Sequence, residues 1–249
     1  MTRIPKVMVA ACAVIVAVGG VTAGLVLGVP SPPAAAAPSA ASLYREAMTT
    51  TKGWRVHYLS KSDTEHVPFD ESGDAGPASG SQAIHIGHGA TLDEATLIVI
   101  GDLTFVKGNE RAMEDLTGLA PAQARTAMNR WVLFSSNNPL FAQVVVGVRS
   151  HDVAQEVALR GPYSLGPSRK LDGYTVDAVR GTEAMQGSKS MKAVLYVRAT
   201  GRHQLVEEDT VNGKGKLNGA EHIVFSKWGE VVRPRAPQAT LTLGSISSA

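Results

Sequence analysis

The chain has 249 residues, 44% hydrophobic and 18% charged, with 24 Lys and Arg against 22 Asp and Glu for a formal net charge of +2. This is the composition of a folded protein and excludes the disordered class, and a charge so near balance gives no reason to expect nucleic acid as a partner. The one cysteine, Cys12, lies inside an N-terminal apolar run, so the rest of the chain has neither a disulfide scaffold nor a cysteine-ligated metal.

Arg3 and Lys6 precede Val7 to Val29, an uncharged apolar stretch of 23 residues. About 20 apolar residues suffice to cross a bilayer, and the basic residues ahead of the run place the N-terminus in the cytoplasm. Three readings compete for residues 1–29. An uncleaved signal anchor fits the length and stands slightly ahead. A cleaved signal peptide fits the small residues around Ala35 to Ala37. A lipoprotein signal is the weakest, because 17 apolar residues follow Cys12 where that pattern puts its cysteine after the apolar core. Either of the first two puts the remainder outside the cytoplasm, tethered to the membrane or secreted.

Residues 30–42 are a Pro- and Ala-rich linker, and residues 43–249 show no break in composition that would divide them. Leu43 to Met48 predicts one or two helical turns, and Trp54 to Ser60 a strand with Trp54, Val56 and Tyr58 on one face. Asp63 to Ser81 is polar and rich in Gly, Pro, Asp and Ser, which predicts a long loop with Asp70, Glu71 and Asp74 in solvent. Gln82 to His88, Ala95 to Ile100 and Leu103 to Lys107 predict strands, the last two joined by a tight turn at Gly101-Asp102. Two short helices follow between Asn109 and Arg130, the second starting at Pro121. Trp131 to Phe134 is short and apolar, and for Leu140 to Val148 periodicity leaves helix and strand open. Ser150 predicts the N-cap of a helix reaching Leu159, ended by Gly161-Pro162. Arg169 to Gly181 predicts a hairpin about Asp172-Gly173. Lys192 to Trp228 predicts a three-stranded meander with turns at Thr200-Gly201-Arg202, Asn212-Gly213 and Asn218-Gly219, and Ala239 to Leu243 an edge strand. Strands, a helical insertion and strands again make an α+β fold with helices on one face of an antiparallel sheet.

No signature of chemistry stands out. His85 and His88, three apart on a strand, point to opposite faces and make no metal pair, and the other histidines have no ligand spacing. Nucleophile elbow, phosphate loop and dinucleotide fingerprint are all missing. Glu207-Glu208-Asp209 reads as a solvated strand end, since neighbouring strand residues cannot flank one bond. The expectation is a protein that is not an enzyme and that takes no metal or cofactor.

Leu195-Tyr196-Val197, Thr200-Gly201-Arg202, Glu207-Glu208-Asp209 and Phe225-Ser226-Lys227-Trp228-Gly229-Glu230 together resemble the actinobacterial LppX/LprG-type envelope lipoproteins, relatives of the lipoprotein carrier LolA. Gly101-Asp102-Leu103, Val106-Lys107-Gly108 and Asp172-Gly173-Tyr174 extend the similarity, which covers roughly Ser42 to Leu243. The resemblance implies a strongly bent antiparallel sheet, a half-barrel, with helices over its concave face and a hollow for acyl chains. It implies a lipid or acylated ligand, lipid or lipoprotein transport across the envelope, and a membrane link through the N-terminal segment. Leu97, Val99, Phe105, Leu195, Val197, Ile223 and Phe225 are then the expected lining of the hollow. The alternative is an envelope interaction module of the same fold with a filled core. The position of Cys12 departs from the lipoprotein pattern and argues against lipid anchoring.

Overall fold

Ser39 opens the first helix as N-cap chemistry demands, its hydroxyl oxygen accepting from the Ser42 N–H at 3.1 Å. The helix, α1, runs Ala40–Gly53 and turns Leu43, Ala47, Met48 and Thr51 inward at helical spacing. It is longer than the one or two turns expected, because Ala40 to Ser42, read as linker, form its first turn and Thr49 to Gly53 carry it on past Met48. The structure is a computed structural model describing residues 37–64, 67–135, 147–184, 190–211, 217–230 and 233–247. The expected membrane segment at 7–29, most of the linker, the undecided stretch up to residue 146 and the Asn212-Gly213 turn lie outside the described residues. Among the described residues no helix is long and apolar enough to cross a membrane.

The remaining elements are β1 (Val56–Thr64), β2 (Val67–Ala75), β3 (Ser79–Ile86), β4 (Asp93–Ile100), β5 (Leu103–Gly108), α2 (Glu110–Asp115), α3 (Pro121–Ala127), β6 (Trp131–Ser135) and α4 (Ser150–Glu156). After these come β7 (Leu159–Leu165), β8 (Arg169–Leu171), β9 (Tyr174–Ala184), β10 (Ser190–Arg198), β11 (Leu205–Val211), β12 (Leu217–Ser226), β13 (Thr240–Thr242) and α5 (Leu243–Ser247). The strands form one unclosed sheet in the order β13-β6-β5-β4-β3-β2-β1-β12-β11-β10-β9-β7, with β8 added beside β9. Every pairing is antiparallel except β13 with β6, so the fold is α+β as expected. Antiparallel β1 and β12 join an N-terminal meander to a C-terminal one.

The sheet is strongly curved. From β2 to β9 is five strand spacings, about 24 Å on a flat sheet. Even so, Ala75 of β2 and Val179 of β9 belong to one apolar cluster, capped by Leu43, Met48 and Val153 of α1 and α4. A second cluster lies beneath α2, α3 and α5, built from Leu97, Val99, Val106, Met113, Val132, Phe134 and Ile246. A third, smaller one on the convex face joins Val176, Val194, Tyr196 and Val206 under Leu171 of β8. Pro38–Ala249 is one compact unit containing the whole sheet and all three clusters, so this piece carries its own core.

Four expectations need correction. Among its described residues, Asp63 to Ser81 is not a loop but the end of β1, all of β2 and the start of β3: β2 pairs residue for residue with β1, from Val56↔Ala75 to Thr64↔Val67. The run reads as loop because Gly73 and Glu71 hold inward positions that apolar residues usually fill. Glu71 is accordingly buried, not solvated. Gly161-Pro162 ends no helix; it sits within β7, where the register against β9 shifts between Arg160 and Ser164. The helix before it stops at Glu156 and is capped at Arg149, whose N–H is accepted by Asp152 at 3.3 Å, while the Ser150 hydroxyl donates to Lys52 O at the end of α1. Asn218-Gly219 lies inside β12, since pairing has resumed at Val211↔Leu217 before the chain reaches it. The turns at Gly101-Asp102 and Asp172-Gly173 are two-residue hairpins as expected, and Asp172 and Gly173 take φ of 46° and 80°.

Trp228 closes the first cluster, and its Nε1 donates to Leu205 O at 3.0 Å within the protein interior. Trp228→Phe keeps most of the packing and strips that carbonyl of its donor. A loss of about 1–2 kcal/mol in urea-denaturation stability is expected.

Candidate functional site on the concave face

Cross-strand register fixes which side chains share the concave face, because directly paired residues of an antiparallel sheet point the same way. One row runs Ala95, Ile84, Glu71, Ser60, Ile223, Glu208, Leu195, Val179 across β4, β3, β2, β1, β12, β11, β10 and β9. Along individual strands, polarity on this face changes from one end to the other. On β1 it passes from Val56 and Tyr58 to Ser60, and on β12 from Phe225 and Ile223 to Glu221. On β11 it passes from Leu205 to Glu208, and on β9 from Val179 to Glu183. The concave face is therefore apolar at one end and lined with carboxyls at the other.

Five glutamates make up the polar end: Glu71 of β2, Glu156 of α4, Glu183 of β9, Glu208 of β11 and Glu221 of β12. All five are pushed above the ordinary glutamate range, first by burial. Repulsion from Glu71, Glu221, Glu183 and Asp152 adds to this for Glu156, which reaches about 8. Glu183 is raised to about 7 by burial and by Glu221. Glu208, 1% exposed, is raised well above the range by burial and by Glu183, Glu221 and Glu156. Glu71 and Glu221 are raised less, because Tyr58 and Gln82 beside Glu71 and the Ser60 hydroxyl on Glu221 (2.8 Å) favour the ionised form. Glu156, Glu183 and Glu221 keep part of their surface accessible while being desolvated. They line a recess and are not sealed in a packed core.

Gly147 marks where two of these glutamates and the Gln82 amide converge. A methyl built on it would lie 3.1 Å from Gln82 Nε2, 3.4 Å from Glu71 Oε1 and 3.8 Å from Glu156 Oε2. The Gly147 carbonyl accepts from the Tyr58 hydroxyl at 3.0 Å. Among the described residues, Glu71 Oε1, Gln82 Oε1 and Glu208 Oε1 are buried without a hydrogen-bond partner.

The residues expected to line the hollow divide between the two clusters. Leu195, Val197, Ile223 and Phe225 lie beneath α1 and α4, and Leu97 and Val99 beneath α2 and α3; all six are on the concave face. Phe105 is not with them. It pairs with Ile98 and Leu133, which puts it on the face opposite Leu97 and Val106. In a strand apolar on both sides, neighbouring residues cannot be told apart by hydropathy, which is why Phe105 joined the expected set.

The acidic run of β11 is also not a solvated strand end. Glu208 points into the concavity, while Glu207 and Asp209 point out with His222 of β12, their metal-capable atoms within 4.8 Å of one another. Arg169 reaches Glu207 at 2.7 Å and stacks on the Tyr196 ring at 3.6 Å, and His222 Nδ1 meets Asp209 at 2.7 Å. These partners account for the outward pair as an ion-paired clasp holding β8 against β11. The glutamate recess was missed in the sequence because its members are single residues on five elements; the only local trace is a glutamate at an inward position of an otherwise apolar alternation, as in Glu221 before Ile223 and Phe225.

No family model matches the chain, and no curated protein matches it. Among solved structures it is similar to LprF from Mycobacterium bovis, with 14% identity over 80% of this chain and 99% of that one at a TM-score of 0.48. It is similar to the lipoprotein LppX of Mycobacterium tuberculosis, with 18% identity over 78% of this chain and 97% of that one at a TM-score of 0.45. The MucA/MucB complex of Pseudomonas aeruginosa is a further similar structure, with 12% identity over 79% of this chain and 58% of that one at a TM-score of 0.41.

Proposed function

We propose that this is an extracytoplasmic binding protein that shelters a lipid or another apolar ligand in the hollow of its half-barrel, and that it works by uptake and release, not catalysis. The observation that carries this reading is the lengthwise change of polarity on the concave face, from the Val56, Phe225 and Leu205 end to the Glu71, Glu208 and Glu221 end. A face divided in this way matches a molecule with an apolar part and a polar part. The two separate apolar clusters support it, since a filled single core gives one contiguous cluster per domain. In this reading Leu97, Val99, Leu195, Val197, Ile223 and Phe225 form the apolar wall. The N-terminal segment, as an anchor or a cleaved signal, delivers the domain to the cell envelope, where it takes part in moving lipid or lipoprotein.

Native mass spectrometry of the full chain, purified from a membrane fraction and released from mild detergent, tests this. Species heavier than the chain by the mass of one lipid, with that lipid recovered on extraction, are the expected result. A chain that carries no lipid and takes none up from added vesicles overturns the reading in favour of an interaction module.

A further inference from the structure

A groove of about 370 Å³ opens between α1, α4 and Tyr163 of β7. Its wall on α1 is Ala41, Arg45, Met48 and Lys52, whose spacings of four, three and four residues put them on one helical face. The floor is apolar and is continuous with the core. Met48 belongs to the first cluster, and Tyr44 and Tyr163, their rings stacked at 4.6 Å, pack against that cluster. The groove therefore lies on the helices that cap the concave face, outside the glutamate recess.

The charge at the groove has one sign. Arg45 and Lys52 are both exposed and stand two helical turns apart, about 10 Å along α1. The described residues that line the groove include no carboxyl. Carboxyls of the same two helices are engaged elsewhere: Glu46 meets His203 at 3.3 Å, Asp152 accepts from the Arg149 N–H at 3.3 Å, and Glu156 belongs to the recess. Two cations beside an apolar floor are complementary to a surface with negative groups above hydrocarbon, which is the chemistry of an anionic bilayer leaflet. The position of α1 in the chain points the same way. Only Pro30 to Ser39 separate it from the apolar stretch Val7 to Val29. Ten residues span at most about 35 Å, so a chain held by that stretch keeps α1 within this distance of the bilayer. Tethering makes docking intramolecular, and a few weak contacts then suffice to set orientation.

We infer that the α1–α4 groove is a docking surface for an anionic lipid bilayer, with Arg45 and Lys52 bracketing the head of one acidic phospholipid over the Met48 floor. This rests on the binding function proposed above and adds where the half-barrel meets its source of lipid. Docking by this face sets the helices that cap the hollow against the bilayer and turns the convex face of the sheet away from it. Each basic residue close to an anionic surface strengthens association about fivefold, so the two together favour the docked orientation about thirtyfold. Salt screens such contacts, because the Debye length is about 10 Å at 0.1 M and shrinks to about 3 Å at 1 M.

The full chain in a Cys12→Ser background, reconstituted in vesicles that carry a quencher on a fraction of the lipid heads, tests the inference. A fluorophore is attached at Gln155→Cys on the groove or, as the control, at Lys107→Cys on the convex side of β5. In vesicles of phosphatidylcholine with phosphatidylglycerol at 0.1 M salt, the groove label is quenched at least about twofold more than the control label. The difference disappears in phosphatidylcholine alone, at 1 M salt, and in the double variant Arg45→Gln, Lys52→Gln, whereas Glu46→Gln leaves it unchanged. Circular dichroism shows that each variant is folded. Equal quenching at the two positions overturns the docking surface, as does no quenching at either. A response of the groove label to soluble polyglutamate, with none to phosphatidylglycerol, overturns it in favour of an acidic protein partner. Self-quenching between labelled copies in phosphatidylcholine alone overturns it in favour of a second copy. Lipid recovered from the same chain by native mass spectrometry reads the binding function separately: cargo without docking overturns only this inference, and docking without cargo overturns only the earlier reading.

Discussion

The ligand-free protein is expected to lose stability as the pH rises from 5.5 to 8.5, the reverse of the rise seen when paired carboxylates dominate. Glu156 and Glu183 have folded values of about 8 and about 7, and Glu208 is higher than the ordinary range by a wide margin. In the unfolded chain these side chains titrate near 4.3. Between those limits the folded protein binds more protons than the unfolded one, so the unfolding free energy has a negative slope against pH. The contribution is fully present below the unfolded value and is lost as the pH climbs through 7 and 8. Each tenfold change in proton affinity between the folded and unfolded chains corresponds to about 1.4 kcal/mol. With water reaching the accessible edges of Glu156 and Glu183, a loss of roughly 4 kcal/mol across the window is a fair magnitude, or a fall in Tm of about 10 °C for a domain this size. Thermal unfolding followed by circular dichroism at half-unit pH steps measures it. Glu156→Gln removes the group with a neutral side chain of the same shape and should flatten the profile by about half. A profile in which Tm rises from pH 5.5 to 8.5 contradicts the account of the recess.

How much of this was legible in the sequence depends on whether a feature is local. The Gly101-Asp102 and Asp172-Gly173 turns, Pro121 at the first position of α3, and the alternation of β10 are each written within a few residues, and each forms as expected. The bent sheet with helices over its concave face followed from the resemblance and from strands apolar on both faces. β2 was hidden because alternation was sought in apolar residues, whereas its inward positions are Glu71, Gly73 and Ala75. Gly73 is there because the Tyr58 ring lies over it, at 2.5 Å from where a methyl would stand. The recess was hidden for a further reason. Glu71, Glu156, Glu183, Glu208 and Glu221 span 150 residues of sequence and meet only through the curvature of the sheet. No window of sequence contains that information.

Gly80→Ala should be the most damaging single methyl in the described fold. Gly80 faces the concavity between Gln82 and the β2–β3 turn, opposite Val99 of β4. A Cβ there would stand 2.0 Å from the Val148 carbonyl oxygen and 2.8 Å from Asp74 O. Both obstacles are backbone, so no side-chain rotation relieves the clash. The chain at Val148 cannot retreat freely either. Just beyond it Gly76 and Arg149 form a parallel bridge, Ser150 N donates to Gly76 O at 3.2 Å, and Tyr58 donates to Gly147 O. Pushing Val148 away breaks these links and lifts α4, which carries Val153 and Glu156 over the concave face. Ordinary overpacking costs about 1–3 kcal/mol, and a backbone collision with this many dependents belongs at or above the upper end. A loss of about 4 kcal/mol is expected in urea denaturation at pH 6, where the carboxyl repulsion is weak. Gly53→Ala, which meets nothing within 4 Å at the end of α1, is the control and should shift stability by less than about 1 kcal/mol. Equal midpoints for the two variants would mean that the Gly147–Ser150 segment does not lie against β3. That segment is what ties α4, and with it Glu156, to the recess.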